Sequence, residues 1–323
     1  MKEGQFDMSD LITLGETMVC FSPDTVAPLR YVRNFHPRIA GAESNIAIGM
    51  AKLGHSALWI SCLGDDEFGH YIKNMVRAEG VDTRGVSFSE KAPTGIMFKE
   101  RTGGETRVTY YRQHSAASKM GPEDIREEFF KDSRILHITG ITPLLSESCH
   151  AAVEKAIELA NRYEIKISFD PNIRRKLWGD QDHSLLMREL CKKSNMIFCG
   201  LDEAETIYGE SDPEKLFRCI FTDSRRTELV ALKNGSQGAW VATRESQIFL
   251  DPFPCQCIDP IGAGDAFNAG FLSGVLERKN LKACGEMGAI AGALATESDG
   301  DIEGYPSRKK IDSVINTQED YYR

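Results

Sequence analysis

Apolar positions along this chain recur in two patterns that alternate. Short, almost continuous apolar runs occupy residues 11–15 (LITLG), 57–64 (ALWISCLG), 134–140 (RILHITG), 165–170 (IKISFD), 195–200 (NMIFCG) and 228–235 (ELVALKNG). Runs of this length, bounded by polar residues or glycine, read as buried strands. Between them lie stretches with helical spacing. Residues 43–53 form the first and stop at Gly54. Phe68, Ile72, Met75 and Val76 make one side of the second, with Asp65 as its cap and Gly80 at its end. Further helices are predicted over 146–163, 184–193, 202–208, 263–278 and 282–297, the last two closing the chain. Strands buried on both faces, alternating with helices, predict a mainly parallel sheet flanked by helices: an α/β, three-layer architecture.

One region breaks this rhythm. Residues 94–112 (TGIMFKERTGGETRVTYYR) alternate loosely between apolar and polar around Gly103-Gly104. Two glycines supply the positive φ values of a tight turn, so the segment predicts a β-hairpin. Such an insertion in an α/β chain serves as a lid or an oligomer contact, and residues 29–39 are expected to add strands to it. No linker or internal repeat is visible. A single domain over 1–323 is expected, with a small β-sheet lid built from about 16–40 and 86–114.

Composition narrows the partners. The chain carries 39 Lys+Arg against 48 Asp+Glu, a formal net charge of −9. A nucleic-acid binder shows a basic surplus, so nucleic acid is not expected as a partner. No basic cluster, signal core or long apolar run points to a membrane. Nine Cys, an odd number without a CxxC spacing, read as reduced thiols of a cytoplasmic protein.

The strongest chemical motif is Asp259-Pro260-Ile261-Gly262-Ala263-Gly264-Asp265-Ala266-Phe267. It precedes a helix with a small-residue side: Ala266, Ala269, Gly270, Ser273 and Gly274. Gly262 and Gly264 let backbone N–H groups approach an anion closely. The helix start adds unpaired donors and the positive dipole end, a site for a phosphoryl group. Asp265, at the same helix start, is expected to stay ionised and to accept a hydroxyl proton. The motif is not a dinucleotide fingerprint, because Phe267 stands at the third glycine position, and no Walker sequence occurs. A second motif, Gly41-Ala42-Glu43-Ser44-Asn45, opens the first long helix, where Asn45 can meet a bound hydroxyl. Taken singly, each motif also reads as a turn with a cap.

Taken in order, GAESN, GDDEFG (64–69), LKNGSQG and GAGDAF resemble the ribokinase-like carbohydrate kinases, the PfkB family, across essentially the whole chain. Three features are similar to the 2-keto-3-deoxygluconate kinases within it. These are Tyr110-Tyr111-Arg112 followed by Ser115-Ala116-Ala117-Ser118, then Phe169-Asp170-Pro171-Asn172-Ile173-Arg174, and Gly300-Asp301 with Gly304-Tyr305-Pro306.

The resemblance implies a ribokinase-like fold and transfer of the γ-phosphoryl of ATP to the 6-hydroxyl of 2-keto-3-deoxygluconate. It makes Asp265 the base and the N–H groups of Gly262, Ala263, Gly264 and Asp265 the anion hole. Gly41, Ala42, Asn45, Tyr110, Arg112, Arg174 and Asp301 are then the sugar contacts. A planar guanidinium suits a carboxylate, so Arg112 favours an acidic sugar. ATP is expected at Asn172, Arg174, Lys233, Gly235, Ser236, Gly238, Asn268 and the anion hole. Mg2+ is expected as cofactor, with Glu203 in its outer network, and a monovalent cation such as K+ at Asp259. Here the family's Asp-Thr-Thr-Gly reads Asp259-Pro260-Ile261-Gly262, without either threonine. A homo-oligomer, a dimer or higher, is expected through the lid. The alternatives are a kinase of fructose or of a keto-deoxygalactonate, and a non-catalytic sugar sensor. A sensor needs loss of the base or anion hole, and Asp265, Gly262 and Gly264 are all present.

Overall fold

In the computed structural model, which describes residues 9–103 and 105–321, the apolar runs line up as one large sheet. The strands in chain order are β1 (Leu11–Leu14), β2 (Met18–Pro23), β3 (Phe35–Ala40), β4 (Ala57–Gly64), β5 (Asp82–Ser89), β6 (Ile96–Thr102) and β7 (Glu105–Tyr111). There follow β8 (Ile135–Thr139), β9 (Lys166–Asp170), β10 (Met196–Gly200), β11 (Leu229–Lys233), β12 (Ala239–Ala242) and β13 (Gln247–Leu250). The large sheet runs β13-β12-β11-β10-β9-β8-β1-β4-β5. It is parallel from β5 to β11, and β12 and β13 add antiparallel at the edge.

The helices are α1 (Ala42–Lys52), α2 (Glu67–Ala78), α3 (Glu147–Arg162), α4 (Arg175–Trp178), α5 (Ser184–Lys192), α6 (Leu201–Tyr208), α7 (Pro213–Asp223), α8 (Ala263–Leu276), α9 (Leu281–Ala295) and α10 (Arg308–Tyr321). Successive strand residues point to opposite faces. Leu11, Trp59, Phe198 and Ala231 therefore pack against α1, α2, α8 and α9. Ile12, Leu58, Ile197 and Val230 pack on the other side against α3, α5, α6 and α7. Both faces being apolar is what made these strands legible as unbroken runs.

The small-residue side of α8 lets helices approach closely. A Cβ on Gly270 would stand 2.5 Å from the carbonyl oxygen of Met287 in α9. A Cβ on Gly49 of α1 would stand 2.6 Å from that of Ala269 in α8. The second contact sets the distance between the two motif-bearing helix starts.

The second sheet, β3-β2-β6-β7, is the lid. Its β6–β7 hairpin pairs Thr102 with Glu105, and Gly103 has φ +58° as the turn requires; Gly104 lies outside the described residues. Met18, Cys20, Ala40 and Met97 cluster on one face with Val108 and Tyr110. Phe21 and Phe98 stack at 5.0 Å on the other, with Phe35 and Tyr111 edge-on.

Several expectations need correction. Residues 86–89, expected in the lid, belong to β5 of the main sheet, because Val86 and Phe88 pair with β4. Asp66, not Asp65, caps α2, its carboxylate accepting from the N–H of Gly69, while Asp65 lies 3.1 Å from His70. Two helices do not close the chain, since α10 follows α9. β12, β13, α4 and α7 also went unread in the strand and helix pattern, and β2 was covered only by the lid range 16–40. All nine cysteines are free thiols. Among the described residues no helix is long and apolar enough to cross a membrane.

Candidate active site

Chain order reverses between β1 and β8: β4 and β5 lie to one side of β1, and β8 to β11 to the other. In parallel sheets a crevice opens outside the strand ends at such a switch point. Glu16 after β1, Asp170 ending β9, Gly200 ending β10 and Lys233 ending β11 all lie along this edge of the sheet. The starts of α1 and α8 close the crevice from the side.

Asp265 stands in the first turn of α8 and is buried. Asn45, one turn into α1, donates from Nδ2 to its Oδ2 at 2.9 Å. Asn45 Oδ1 is buried without a protein partner, an acceptor left open for a bound donor. Burial pushes the Asp265 carboxyl up to about 7, against the opposing hydrogen bond from Asn45. The expectation of a fully ionised Asp265 is therefore corrected. Loss of water outweighs the helix dipole, and the group is poised near neutrality, where a general base works best.

Gly262 caps α8 with φ 82°, and a Cβ there would stand 2.2 Å from the carbonyl oxygen of Asp301. Only glycine fits both the backbone and the space. The first turn of α8 thus begins where the anion hole is expected from Gly262, Ala263 and Gly264, with the N–H of Ala263 donating to the carbonyl of Pro260 at 3.3 Å. Lys233 Nζ lies 3.4 Å from where a Cβ of Gly264 would be, so a positive charge borders that cradle. The ammonium donates to Asp170 Oδ2 at 2.7 Å and to Asn268 Oδ1 at 3.2 Å, and Asn268 donates to Asp170 Oδ2 at 2.6 Å. Despite its burial, Asp170 keeps a lowered pKa because Lys233 and Asn268 hold its charge.

Next to the cradle a cavity of about 790 Å³ runs past Gly235, Ser236 and Gly238 to Phe253, Ala293 and Thr296. Its size suits a nucleotide and its mostly apolar walls suit a planar base. Gly235 and Gly238 have φ 53° and 99°, the turn geometry expected of NGSQG. Asn172 is buried with φ 42°, its N–H donating to Asp170 Oδ1, and Arg174 is exposed beside it, near enough to favour ionised Asp265. Glu203 spans two loops, accepting from the N–H of Ile173 at 2.6 Å and of Gly200 at 2.7 Å. Both its oxygens are thus engaged, which fits an outer role toward Mg2+ rather than direct ligation.

The lid side holds the remaining predicted contacts. Gly41 and Ala42 start α1 against the Glu16–Thr17 backbone. Tyr110 packs on the inner lid cluster, with the Arg112 guanidinium 5.7 Å from its ring centre. Arg112 gives Nε and Nη2 to Glu16 Oε2 at 2.6 and 2.5 Å, and Ser115 donates to Glu16 Oε1 at 2.5 Å. Asp301 reaches the site, but its carboxylate is 3.0 Å from Lys99 Nζ, and its carbonyl supports Gly262.

Sequence reasoning missed Glu16, Ser115, Lys99 and the central part of Asp170. A charged residue directly after a buried strand was the one available signal for Glu16. The buried Glu43 also went unread; it accepts from Thr139 and Thr142 at 2.6 and 2.7 Å, and burial pushes its pKa up.

A family model described as pfkB family carbohydrate kinase matches residues 8–308. A 2-dehydro-3-deoxygluconokinase of Bacillus subtilis is 34% identical over 96% of this chain and 96% of its own length. One of Thermoproteus tenax is likewise 34% identical, over 97% and 96%. A 5-dehydro-2-deoxygluconokinase of Clostridium perfringens is 27% identical over 97% and 94%. The solved structure of a putative Ribokinase II from E. coli, in complex with ATP and Mg2+, superposes with a TM-score of 0.89 at 25% identity, covering 96% of this chain and 99% of that one.

Proposed function

Since the chain belongs to the pfkB family of carbohydrate kinases and shares the ribokinase-like fold, we propose that it phosphorylates 2-keto-3-deoxy-D-gluconate on the 6-hydroxyl, with ATP as donor. The product is 2-keto-3-deoxy-6-phosphogluconate. The observation that carries phosphoryl transfer is Asp265, a buried carboxylate with its pKa raised to about 7, in the first turn of a helix that Gly262 opens with φ 82°.

The steps follow from the residues. Asn45 orients the Asp265 carboxylate, which accepts the proton of the sugar hydroxyl as the new O–P bond forms and the bond to the ADP oxygen breaks. The amides of Gly262 to Asp265 hold the migrating phosphoryl oxygens, while Lys233 and Arg174 balance their charge. Little covalent work remains, so the rate comes from positioning and fixed charge. Asp170 and Glu203 would supply the carboxylate surroundings of Mg2+, which when bound would neutralise charge on the phosphoryl groups.

Support for an acidic sugar comes from Arg112. A guanidinium has five N–H groups, and Glu16 uses only the Nε and one Nη2 hydrogen. The Nη1 side remains for a substrate carboxylate, held by the Glu16 brace at a fixed angle. The similarity to the two 2-dehydro-3-deoxygluconokinases points the same way. In this reading a second copy of the chain covers the aromatic lid face of Phe21, Phe98 and Tyr111.

The test is a sugar screen with MgATP, reading ADP release, with phosphate position fixed by NMR. Keto-deoxy sugar acids should turn over with far higher kcat/KM than fructose or ribose. Turnover of neutral sugars alone would refute the carboxylate role. A preference for 5-keto-2-deoxygluconate would keep the acid and change the keto position.

A further inference from the structure

Lys99 is fully buried in the middle of β6. Its Nζ lies 3.1 Å from Asp259 Oδ2 and 3.0 Å from Asp301 Oδ1, both buried as well. Two buried carboxylates within ion-pair distance call for a cation between them, and the Lys99 ammonium occupies that place. Cys20 of β2 also faces it, with its thiol pushed up to about 12 by burial and so neutral. Arg101 lies 3.7 Å from Asp259 and pairs with Asp299, and Arg38 of β3 pairs with Asp299 and Glu303.

Charges are costly to bury, and an apolar replacement of a buried ion cluster is often as stable. Stability alone therefore does not account for this cluster, and its position suggests why it is there. Asp259 opens the loop that becomes the anion hole, its Oδ1 accepting from the N–H of Ile261 at 3.1 Å. Asp301 places its carbonyl oxygen directly under Gly262, where a Cβ would approach to 2.2 Å. The hydroxyl of Tyr305, four residues on, donates to the carbonyl of Gly262 at 2.9 Å. Both carboxylates thus belong to the two segments that shape the phosphoryl cradle, and one lid ammonium joins them.

A free monovalent cation at Asp259, expected from the resemblance, does not fit this arrangement. The single positive charge that Asp259 and Asp301 call for is already supplied by the chain. We propose that Lys99 is a positioning residue, a tethered monovalent cation that fixes the anion-hole loop to the lid, so that turnover requires no K+ or other free monovalent ion. The inference rests on the kinase reading but not on the choice of sugar.

The full-length enzyme, with MgATP and whichever sugar turns over fastest, is assayed in tetramethylammonium buffer with K+, NH4+ or Na+ added. Wild-type kcat should stay constant within about twofold. Stimulation by K+ well beyond that overturns the proposal. Lys99→Ala should lower kcat by about a hundredfold, with a smaller change in sugar KM, and K+, NH4+ or methylammonium should restore much of it by filling the vacated space. Lys99→Met should lose as much and resist rescue, because its side chain fills that space. A folded Lys99→Ala enzyme with near-native kcat, or one that no cation rescues, also refutes the proposal. If Lys99→Ala fails to fold, by circular dichroism, the wild-type cation series decides alone. Wild type inactive on every sugar at every salt would instead sink the kinase reading, and this inference with it.

Discussion

Replacing Asp265 by Asn should abolish turnover and, unusually for a loss-of-function change, stabilise the protein. General-base removal costs about 10²- to 10⁴-fold in kcat. The amide keeps the shape of the carboxylate and an oxygen to accept from Asn45, so sugar binding should be largely retained. The stability effect follows from the raised pKa. Burial lifts the Asp265 carboxyl from 3.8 to about 7 in the folded state. The unfolded chain then releases its proton at lower pH than the folded one. The sign is that folding stability falls as pH rises from about 4 to about 7, then levels off. Roughly three units at 1.36 kcal/mol each set an upper bound of about 4 kcal/mol. With an unfolding entropy of about 0.7 kcal/mol/K for a chain of this size, the bound corresponds to a gain of about 6 °C in Tm.

The assay is a pair of thermal melts, wild type against Asp265→Asn, without ligands, near pH 8 and near pH 4. The variant should melt higher at the alkaline pH, and the difference should shrink toward zero at the acid pH. Wild-type kcat/KM should rise through about pH 7 as the base loses its proton. A variant that melts lower near pH 8, or one that keeps near-native turnover, would refute both the burial argument and the base assignment.

Arg112→Ala should raise KM for keto-deoxy sugar acids by about 10- to 100-fold, the worth of a charge-assisted hydrogen bond, while fructose kinetics barely move; equal losses on acidic and neutral sugars would remove the carboxylate role. Gly262→Ala forces a Cβ into a φ of 82° and to within 2.2 Å of the Asp301 carbonyl. It should cut kcat by about 10²- to 10³-fold with a smaller change in sugar affinity by calorimetry, and an active variant would mean the amides there do not hold the phosphoryl group. The lid face is checked by sedimentation: the wild type should run as a dimer or higher, and Tyr111→Glu, at a side chain 62% exposed, should shift it toward monomer. A wild-type monomer at all concentrations would exclude the lid contact.

How much was legible in the sequence depended on whether the information was local. The parallel strands other than β5 were readable because Leu11 and Ile12, or Ile197 and Phe198, are buried on opposite faces, leaving only scattered polar positions such as Thr13, Ser61 and His137 in the runs. Strands β12 and β13, antiparallel at one end of the sheet, are four residues each, too short to show a period. Helix α10 contacts the core through Ile311, Val314 and Ile315 alone among its described side chains, so its pattern is mostly polar. The motif of the proposed anion hole was readable because Gly262, Gly264 and Asp265 are neighbours in sequence. Lys99 was not, because in FKERT it reads as a solvent-facing strand lysine. Its partners lie 160 and 202 residues away. The pairing of Glu16 with Arg112, 96 residues apart, is hidden for the same reason. Charge pairs closed only by topology leave no periodic trace.

The packing of α1 on α8 links stability to activity. Gly49 against Ala269 brings the helices close enough for Asn45 to reach Asp265. The same closeness excludes water from the carboxylate and raises its pKa. A looser contact would leave the carboxylate solvated, ionised at lower pH and weaker as a base. It would also leave Asn45 too distant to orient it. The helix seam therefore sets both the base strength of Asp265 and the stability it costs, and neither can be tuned through that contact without moving the other. Lys99 acts on the opposite side of the same cradle. Its ammonium stabilises Asp259 and Asp301, while Asp265, only six residues after Asp259, remains the carboxylate whose proton is exchanged near neutrality. The division follows from direct contacts: the carboxylates that touch the Lys99 ammonium flank the loop, while the hydrogen bond on Asp265 comes from the Asn45 amide and the cations Arg174 and Lys233 act on it from farther off.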